Sequence, residues 1–129
     1  MSLATVDDGG VWVSDVIFIY DDNFNIYWMS DPDVRHSLAI EKDKKVAGAI
    51  VLSNKLGEKS LAIQFSGVAK KIDGARYDLA LKHYKKTGKP EPKEEDDVLE
   101  GDSWYELTPT KMRLNDMENF GYDKQDVEL

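Results

Sequence analysis

A tight turn close to the N-terminus places the strongest constraint on the fold. Asp7-Asp8-Gly9-Gly10 separates two apolar segments, Leu3 to Val6 and Val11 to Tyr20. Asp-Gly and Gly-Gly pairs supply the positive φ angles that hairpin turns require, so the pattern predicts two antiparallel strands. A second turn at 21–23 leads into Phe24 to Met29, which is rich in aromatic and β-branched residues. The chain is therefore expected to open as a β-meander.

The second of these strands is apolar on both faces. In an extended chain, Val16, Phe18 and Tyr20 point to one side, and Ile17 and Ile19 to the other. Such a strand has to be covered on both sides. A barrel interior on one face, with a helix or a second subunit on the other, would provide that cover.

The middle of the chain combines a short helix with a long hairpin. Ser30-Asp31-Pro32-Asp33 has the polar cap, the proline and the acid of a helix start, and the helix is expected to run to about Lys44. Val46 to Ser53 and Ser60 to Ile72 are then predicted to pair as a hairpin. Gly67 is expected to mark a bulge or a close approach of two backbones.

The last third of the chain is predicted to hold a helix and two short strands. The helix spans 75–86 and ends at Gly88, with Tyr77, Leu81 and Tyr84 along one face. Two prolines and the acidic run 94–97 make 89–102 an exposed loop. The two strands, 103–108 and 111–116, are separated by Pro109.

Bulk properties predict one soluble domain over residues 1–129 and exclude several functions. The net charge of −8 argues against a nucleic-acid partner, which would call for clustered Lys and Arg. The absence of cysteine excludes disulfides and thiolate chemistry. No segment has the length of apolar sequence that a membrane helix needs, and no basic-then-apolar signal opens the chain, so a cytoplasmic location without membrane contact is expected.

The segment from Ser30 to His36 is the strongest candidate for chemistry. It places a hydroxyl, an arginine and a histidine around the free N–H groups of a predicted helix start, an arrangement that can bind an anion. Ordinary capping and surface exposure explain the same residues equally well. The other histidine, His83, lies in a different predicted helix, so the spacing indicates no metal site. From the residues alone, Trp104 is more typical of a core residue than of a ligand cover.

Six segments, in order, resemble the pyridoxamine 5′-phosphate oxidase-like family of FMN-binding split barrels. Together they cover nearly the whole chain, and they are Leu3-Ala4-Thr5-Val6-Asp7, Val13-Ser14-Asp15-Val16, Tyr27-Trp28-Met29-Ser30 with Arg35-His36, Val46-Ala47-Gly48-Ala49-Ile50, Gln64-Phe65-Ser66-Gly67-Val68-Ala69 and Trp104-Tyr105-Glu106-Leu107-Thr108-Pro109. The resemblance implies a mainly β fold, a six-stranded antiparallel split β-barrel with a few short helices. It also implies a homodimer with FMN in the groove between the subunits.

The resemblance assigns cofactor contacts residue by residue. Ser30, Arg35 and His36 would contact the phosphate. Val13, Ser14, Asp15 and Val16 would line the isoalloxazine ring, while Gln64 would touch the flavin or its phosphate. Trp104 would come from the partner subunit and close the site. The full set of implied contacts is Val13, Ser14, Asp15, Val16, Met29, Ser30, Arg35, His36, Gln64 and Trp104.

Two departures from the family pattern narrow the expected function. Residues 115–129 hold no counterpart of the basic C-terminal segment that binds substrate in true pyridoxamine-phosphate oxidases, which argues against vitamin B6 oxidation. His36 stands where many members carry lysine or arginine, so flavin affinity is expected to fall as pH rises.

Several functions fit this resemblance. The first hypothesis is an FMN-dependent oxidoreductase of unknown substrate, in which the cofactor carries the redox chemistry. The second is a non-catalytic flavin-binding module built from the same residues. A third keeps the barrel and replaces FMN with haem or the deazaflavin F420. A structural dimer with an empty site is the remaining alternative.

Overall fold

The structure is a computed structural model that describes residues 1–129. It contains eight strands, β1 to β8, and three helices, α1 to α3. In chain order these are β1 (Ser2–Asp7), β2 (Gly10–Asp15), β3 (Ile19–Tyr20), β4 (Ile26–Ser30), α1 (Arg35–Lys42), β5 (Lys45–Val51), β6 (Leu61–Ile72), α2 (Tyr77–Thr87), β7 (Ser103–Asp116), α3 (Met117–Phe120) and β8 (Gln125–Asp126).

All eight strands belong to one antiparallel sheet. Its order is β2-β1-β5-β6-β7-β4-β3, and β8 pairs with the end of β7. The two longest strands, β6 and β7, pair along their whole length and form the centre of the sheet. The predicted mainly β, antiparallel class is confirmed, with eight strands in place of six because two are only two residues long.

The predicted strand over Val11 to Tyr20 is interrupted. β2 ends at Asp15, and the N-terminal amine donates a hydrogen bond to the carbonyl of Val16 at 2.9 Å. Val16 and Phe18 pack against the larger core cluster, whereas Ile17 remains exposed. The chain therefore leaves the sheet between β2 and β3, and these two end strands do not pair with each other.

Gly67 lies at a register shift between β6 and β7, as predicted. Ser66 pairs with Lys111 and Gly67 pairs with Pro109, so Thr110 is the extra residue on β7. The prediction of two short strands separated by Pro109 was wrong, because β7 runs without interruption from Ser103 to Asp116. A proline is tolerated within a strand at a bulge, where the regular ladder is already broken.

The buried side chains form two clusters. The larger has ten members, including Leu3, Trp28 and Tyr105, and the rings of Trp28 and Tyr105 stack at 5.7 Å. The smaller has six members and joins α2 to the end of the sheet through Leu79, Ala80 and Trp104. These clusters fix α1 and α2 against the strands and so position the loops between them.

The second helix and the acidic loop differ from expectation in their buried residues. α2 ends at Gly88, which has the positive φ of 74° typical of a helix C-terminus, as predicted. Its buried face consists of Leu79, Ala80 and His83, whereas Tyr77, Leu81 and Tyr84 are half-buried. The acidic run is exposed as expected, but the same loop buries Val98 in the smaller cluster.

Candidate functional site at the start of the first helix

The junction between β4 and α1 brings two of the three predicted anion-binding residues, Ser30 and His36, into contact. Ser30 is the last residue of β4, and α1 begins five residues later at Arg35. The prediction that Ser30 or Asp31 caps the helix was wrong. Val34 occupies the cap position in extended conformation without a side-chain hydrogen bond, and Asp31 instead accepts from the N–H of Asp33 at 2.8 Å.

Ser30 and His36 are in direct contact. His36 Nε2 lies 2.8 Å from Ser30 Oγ, and the serine is buried while the imidazole is half-buried. Burial lowers the pKa of His36 below its ordinary value, since desolvation disfavours the charged imidazolium. Near neutral pH the pair therefore consists of an uncharged imidazole and a hydroxyl. One donates to the other, so the pair offers a ligand one outward donor, either the Ser30 O–H or the His36 Nδ1–H.

Arg35 is held by two neighbours. Its Nε donates to Asp7 Oδ2 at 2.8 Å and its Nη2 donates to Asp7 Oδ1 at 3.0 Å, which makes a bidentate ion pair. Its guanidinium also lies 4.3 Å from the centre of the Trp12 ring. Neither partner is apparent from the sequence, because Asp7 lies 28 residues away in a pattern typical of a turn and Trp12 lies on a different predicted strand.

The β2 residues assigned to the flavin ring run beside this site. Val13 is exposed and Ser14 is half-buried, while Asp15 accepts a hydrogen bond from Ser2 Oγ at 3.0 Å. Val16 follows the strand and packs against the core. Trp12, the residue before Val13, contacts Arg35 and so links β2 to the start of α1.

Gln64 lies on another part of the sheet. Its side chain on β6 is exposed and accepts from Lys124 Nζ at 3.3 Å, and it pairs in register with Arg113. A shallow depression of about 160 Å³ there includes Gln64, Ser66, Lys111 and Arg113. No hydrogen bond connects Gln64 with Ser30, Arg35 or His36 within the chain.

Trp104 is placed where it cannot cover a ligand in a partner subunit. Its ring is fully buried in the smaller core cluster, and Nε1 donates to the carbonyl of Ala75 at 2.8 Å. This corrects the role implied by the family resemblance and agrees with the core assignment favoured by the residue type. Met29 pairs in register with Trp104, is half-buried and packs against the same cluster.

A second surface feature is an open apolar cleft at the other end of the sheet. Its volume is about 410 Å³, and each of its eleven lining residues is hydrophobic. Several lining side chains are more than 40% exposed, and these are Tyr20, Phe24 and Leu52. The sequence predicted a need for cover in this region but did not identify the cleft, since its residues come from five strands, β3 to β7, and from the segments that connect them.

No helix of the structure is both long enough and apolar enough to cross a membrane. No protein-family model matches the sequence. A curated relative, the UPF0306 protein YhbP of Salmonella schwarzengrund, is 27% identical over 78 residues, which are 60% of this chain and 53% of that protein. The match therefore spans about half the length of the curated relative.

Solved structures establish the fold class. A conserved hypothetical protein from Mycobacterium tuberculosis superposes with a TM-score of 0.79 at 14% identity, covering 99% of this chain and 83% of that one. The heme storage protein HutZ from Vibrio cholerae gives 0.68 at 16% identity, covering 86% and 82%. A putative pyridoxamine 5′-phosphate oxidase from Listeria innocua gives 0.64 at 13%, covering 88% and 85%. The chain has the split-barrel fold of pyridoxamine 5′-phosphate oxidase-like proteins.

Proposed function

We propose that this protein binds FMN, with the flavin phosphate at the start of α1. The observation that carries the proposal is the contact between Ser30 Oγ and His36 Nε2 at 2.8 Å, in the first turn of the helix that Arg35 begins. A hydroxyl, an imidazole and a guanidinium are donors suited to phosphate oxygens. The isoalloxazine ring would then lie along Val13 to Val16, because Trp12 on the same strand already touches Arg35.

The donor set fits a phosphate if the ligand can share Arg35 with Asp7 or displace Asp7 from it. Arg35 is already paired with the Asp7 carboxylate, which occupies two of its five N–H donors. The remaining donors and the Ser30–His36 pair are available to a ligand. The fit therefore predicts modest affinity, because a phosphate has to share or replace an existing ion pair.

We propose further that two copies of the chain associate through the apolar cleft. Monomeric proteins rarely leave a contiguous apolar patch of this kind uncovered. The exposed Leu52 and Tyr20 at its rim would be buried by the same cleft of a second copy related by twofold symmetry. Trp104 would stay in the core of its own subunit.

The bound flavin would serve a redox reaction. In such a site the cofactor supplies the electron chemistry, and the chain binds the phosphate and orients the ring. None of the donors at the start of α1 is required as a general acid or base. Oxidation of reduced nicotinamide by the FMN-loaded protein, followed at 340 nm, tests this part, and absence of turnover would leave a non-catalytic flavin-binding module.

The experiment for the proposed site compares FMN binding by the unmodified protein and by Arg35→Ala. We expect about one retained flavin per subunit after removal of free FMN, and a loss of affinity of about tenfold or more in the variant. Arg76→Ala is the matched control, since Arg76 also forms a bidentate pair, with Asp78, and has a similar exposure of 38% against 39%. Equal FMN affinity of the unmodified protein and Arg35→Ala would show that Arg35 does not bind the flavin phosphate.

Haem is the second candidate ligand, favoured by His36. A half-buried imidazole with a lowered pKa is neutral and would ligate iron by giving up its contact with Ser30 Oγ, whereas His83 lies on the buried face of α2. HutZ is a heme storage protein, and a heme binding protein from Mycobacterium smegmatis gives a TM-score of 0.67 at 18% identity, covering 98% of this chain and 51% of that one. The haem proposal would replace the flavin proposal if the unmodified protein retains no FMN but forms a Soret band with haemin, and if that band is lost in His36→Ala.

A further inference from the structure

We propose that Asp7 acts as a built-in competitor for the ligand phosphate at Arg35, so that anions bind this site only by displacing an internal carboxylate. The inference rests on the proposed phosphate site and concerns its selectivity. Its basis is the geometry of the Asp7–Arg35 pair, which satisfies the planar fork of the guanidinium in the same way that a phosphate would.

The ion pair is held in place by Trp12 and by the backbone of Gly9. Trp12 lies against the face of the guanidinium at 4.3 Å. Asp7 Oδ1 also accepts from the N–H of Gly9 at 2.9 Å, which orients the carboxylate toward Arg35. A side chain at position 9 would crowd this pair, since a Cβ there would lie 3.0 Å from Arg35 Nη2. The β1–β2 turn thus orients the Asp7 carboxylate toward the Arg35 guanidinium.

The charges around Arg35 reinforce the competition. The depression beside the pair contains three carboxylates, Asp7, Asp8 and Asp33, but only two cations, Arg35 and Lys42. Hydrogen bonds from Arg35 lower the pKa of Asp7, so the carboxylate stays ionised near neutral pH. An incoming anion therefore meets a neutralised arginine and a net negative surrounding.

Displacement has a predictable selectivity. A monoanion offers Arg35 no more charge than Asp7 does, and it lacks the advantage of being attached to the same chain. A phosphate monoester carries close to two charges at neutral pH and three acceptor oxygens, so it attracts the guanidinium more strongly than a single carboxylate does. The site is thereby selective for phosphate monoesters over carboxylates, at the cost of affinity.

The decisive variant is Asp7→Asn, which removes the charge and keeps an oxygen that can accept from the Gly9 N–H. We expect its affinity for FMN to rise by about tenfold, with no change for riboflavin, which lacks the phosphate. Asp8→Asn is the matched control because it removes one charge from the same turn without a contact to Arg35. Asp78→Asn, which breaks the other bidentate pair, should also leave FMN affinity unchanged.

Inorganic phosphate and acetate, titrated while the Arg35 Nε–H resonance is followed by NMR, test the competitor independently of flavin. Phosphate should shift that resonance at lower concentration in Asp7→Asn than in the unmodified protein. Acetate should shift it only in the variant. If the protein binds FMN and the two variants, Asp7→Asn and Asp8→Asn, change the FMN affinity by the same factor, the competitor role is overturned while the flavin site stands. If no form binds FMN but Asp7→Asn alone gains phosphate affinity, the competitor role stands and the flavin proposal falls.

Discussion

His36 and Ser30 meet through a 2.8 Å contact between Nε2 and Oγ, although one belongs to α1 and the other ends β4. The contact joins the sheet to the helix, and His36 directly follows Arg35 in the sequence. A hydroxyl that bonds to a neutral imidazole can turn toward a ligand when that imidazole takes up a proton. The state of His36 is therefore expected to govern how strongly the site holds an anion.

The first prediction concerns the pH dependence of FMN binding. Burial places the pKa of His36 below its ordinary value of 6.5, so the imidazole is neutral at pH 7.5 and gains a proton only as pH falls below 6.5. The imidazolium attracts phosphate, so unmodified protein should bind FMN more tightly, relative to His36→Gln, as pH falls through this range. Fluorescence titrations of both proteins between pH 7.5 and 5.5 measure the ratio of their affinities.

His36→Lys provides the control for this pH dependence. It keeps a positive charge throughout the range, so its affinity at pH 7.5 should exceed that of the unmodified protein by several-fold, up to about tenfold. Since the FMN phosphate itself takes up a proton near pH 6, the comparison between variants at each pH isolates the contribution of residue 36. A constant ratio between unmodified protein and His36→Gln would contradict the assignment of His36 to the phosphate.

The second prediction tests the proposed association through the apolar cleft. Leu52 is 69% exposed, so Leu52→Asp should leave the fold of a single chain intact while placing a charge in the cleft. We expect the dissociation constant of the dimer to rise by about tenfold or more, as measured by sedimentation equilibrium. Leu56→Asp is the control, since Leu56 is fully exposed in the adjacent turn and does not line the cleft. A monomer at micromolar concentration without any substitution would refute the association.

Locally encoded features of the fold were predictable from the sequence. The β1–β2 hairpin and the end of α2 at Gly88 each depend on a turn pair or a glycine of positive φ at the feature itself. Such signals act through the allowed φ and ψ angles of one or two residues. They need no information about the rest of the chain.

Features that depend on distant partners were missed. The segment between β2 and β3 leaves the sheet where Val16 and Phe18 pack against the larger core cluster. Pro109 does not end a strand because Gly67, on the neighbouring strand, already breaks the ladder there. The local pattern contains neither partner.

The candidate site shows the same division. The residue types of Ser30, Arg35 and His36 indicate an anion site, and the structure brings Ser30 and His36 into contact while Arg35 pairs with Asp7. Asp7, which neutralises Arg35, was assigned to a turn, since no pattern along the chain links residues 28 positions apart. Burial of Trp104 likewise follows from how α2 packs on the sheet, and a motif match cannot indicate it.

The third prediction concerns the bulge. A Cβ at position 67 would lie 2.9 Å from Pro109 Cα and would overlap the carbonyl oxygen of Thr108, and both are backbone atoms of the paired strand. Gly67→Ala should therefore lower the free energy of unfolding by about 1–3 kcal/mol, measured by urea denaturation. Ser66→Ala is the matched control, because the neighbouring side chain is exposed and should change stability by less than about 0.5 kcal/mol. Equal stability of the two variants would show that the strands can separate without cost.

The fourth prediction concerns acid stability. His83 is 7% exposed, its Nδ1 has no hydrogen-bond partner, and its ring meets the edge of Trp104 at 5.8 Å. Burial, followed by the charges of Lys89 and Lys86, lowers the pKa of His83 in the folded protein. Between the ordinary value of 6.5 and this lower pKa the unfolded chain binds the additional proton, so the free energy of unfolding should fall as pH falls through that interval.

His83→Leu removes the titrating group and should flatten this part of the stability curve. The slope lost is at most about 1.4 kcal/mol per pH unit, the value for one proton. Because His36 also has a lowered pKa, the comparison is best made in a His36→Gln background, with urea unfolding at pH 7.5, 6.5 and 5.5. If His83→Leu retains the full slope between pH 6.5 and 5.5, the acid sensitivity arises from groups other than the buried imidazole of α2.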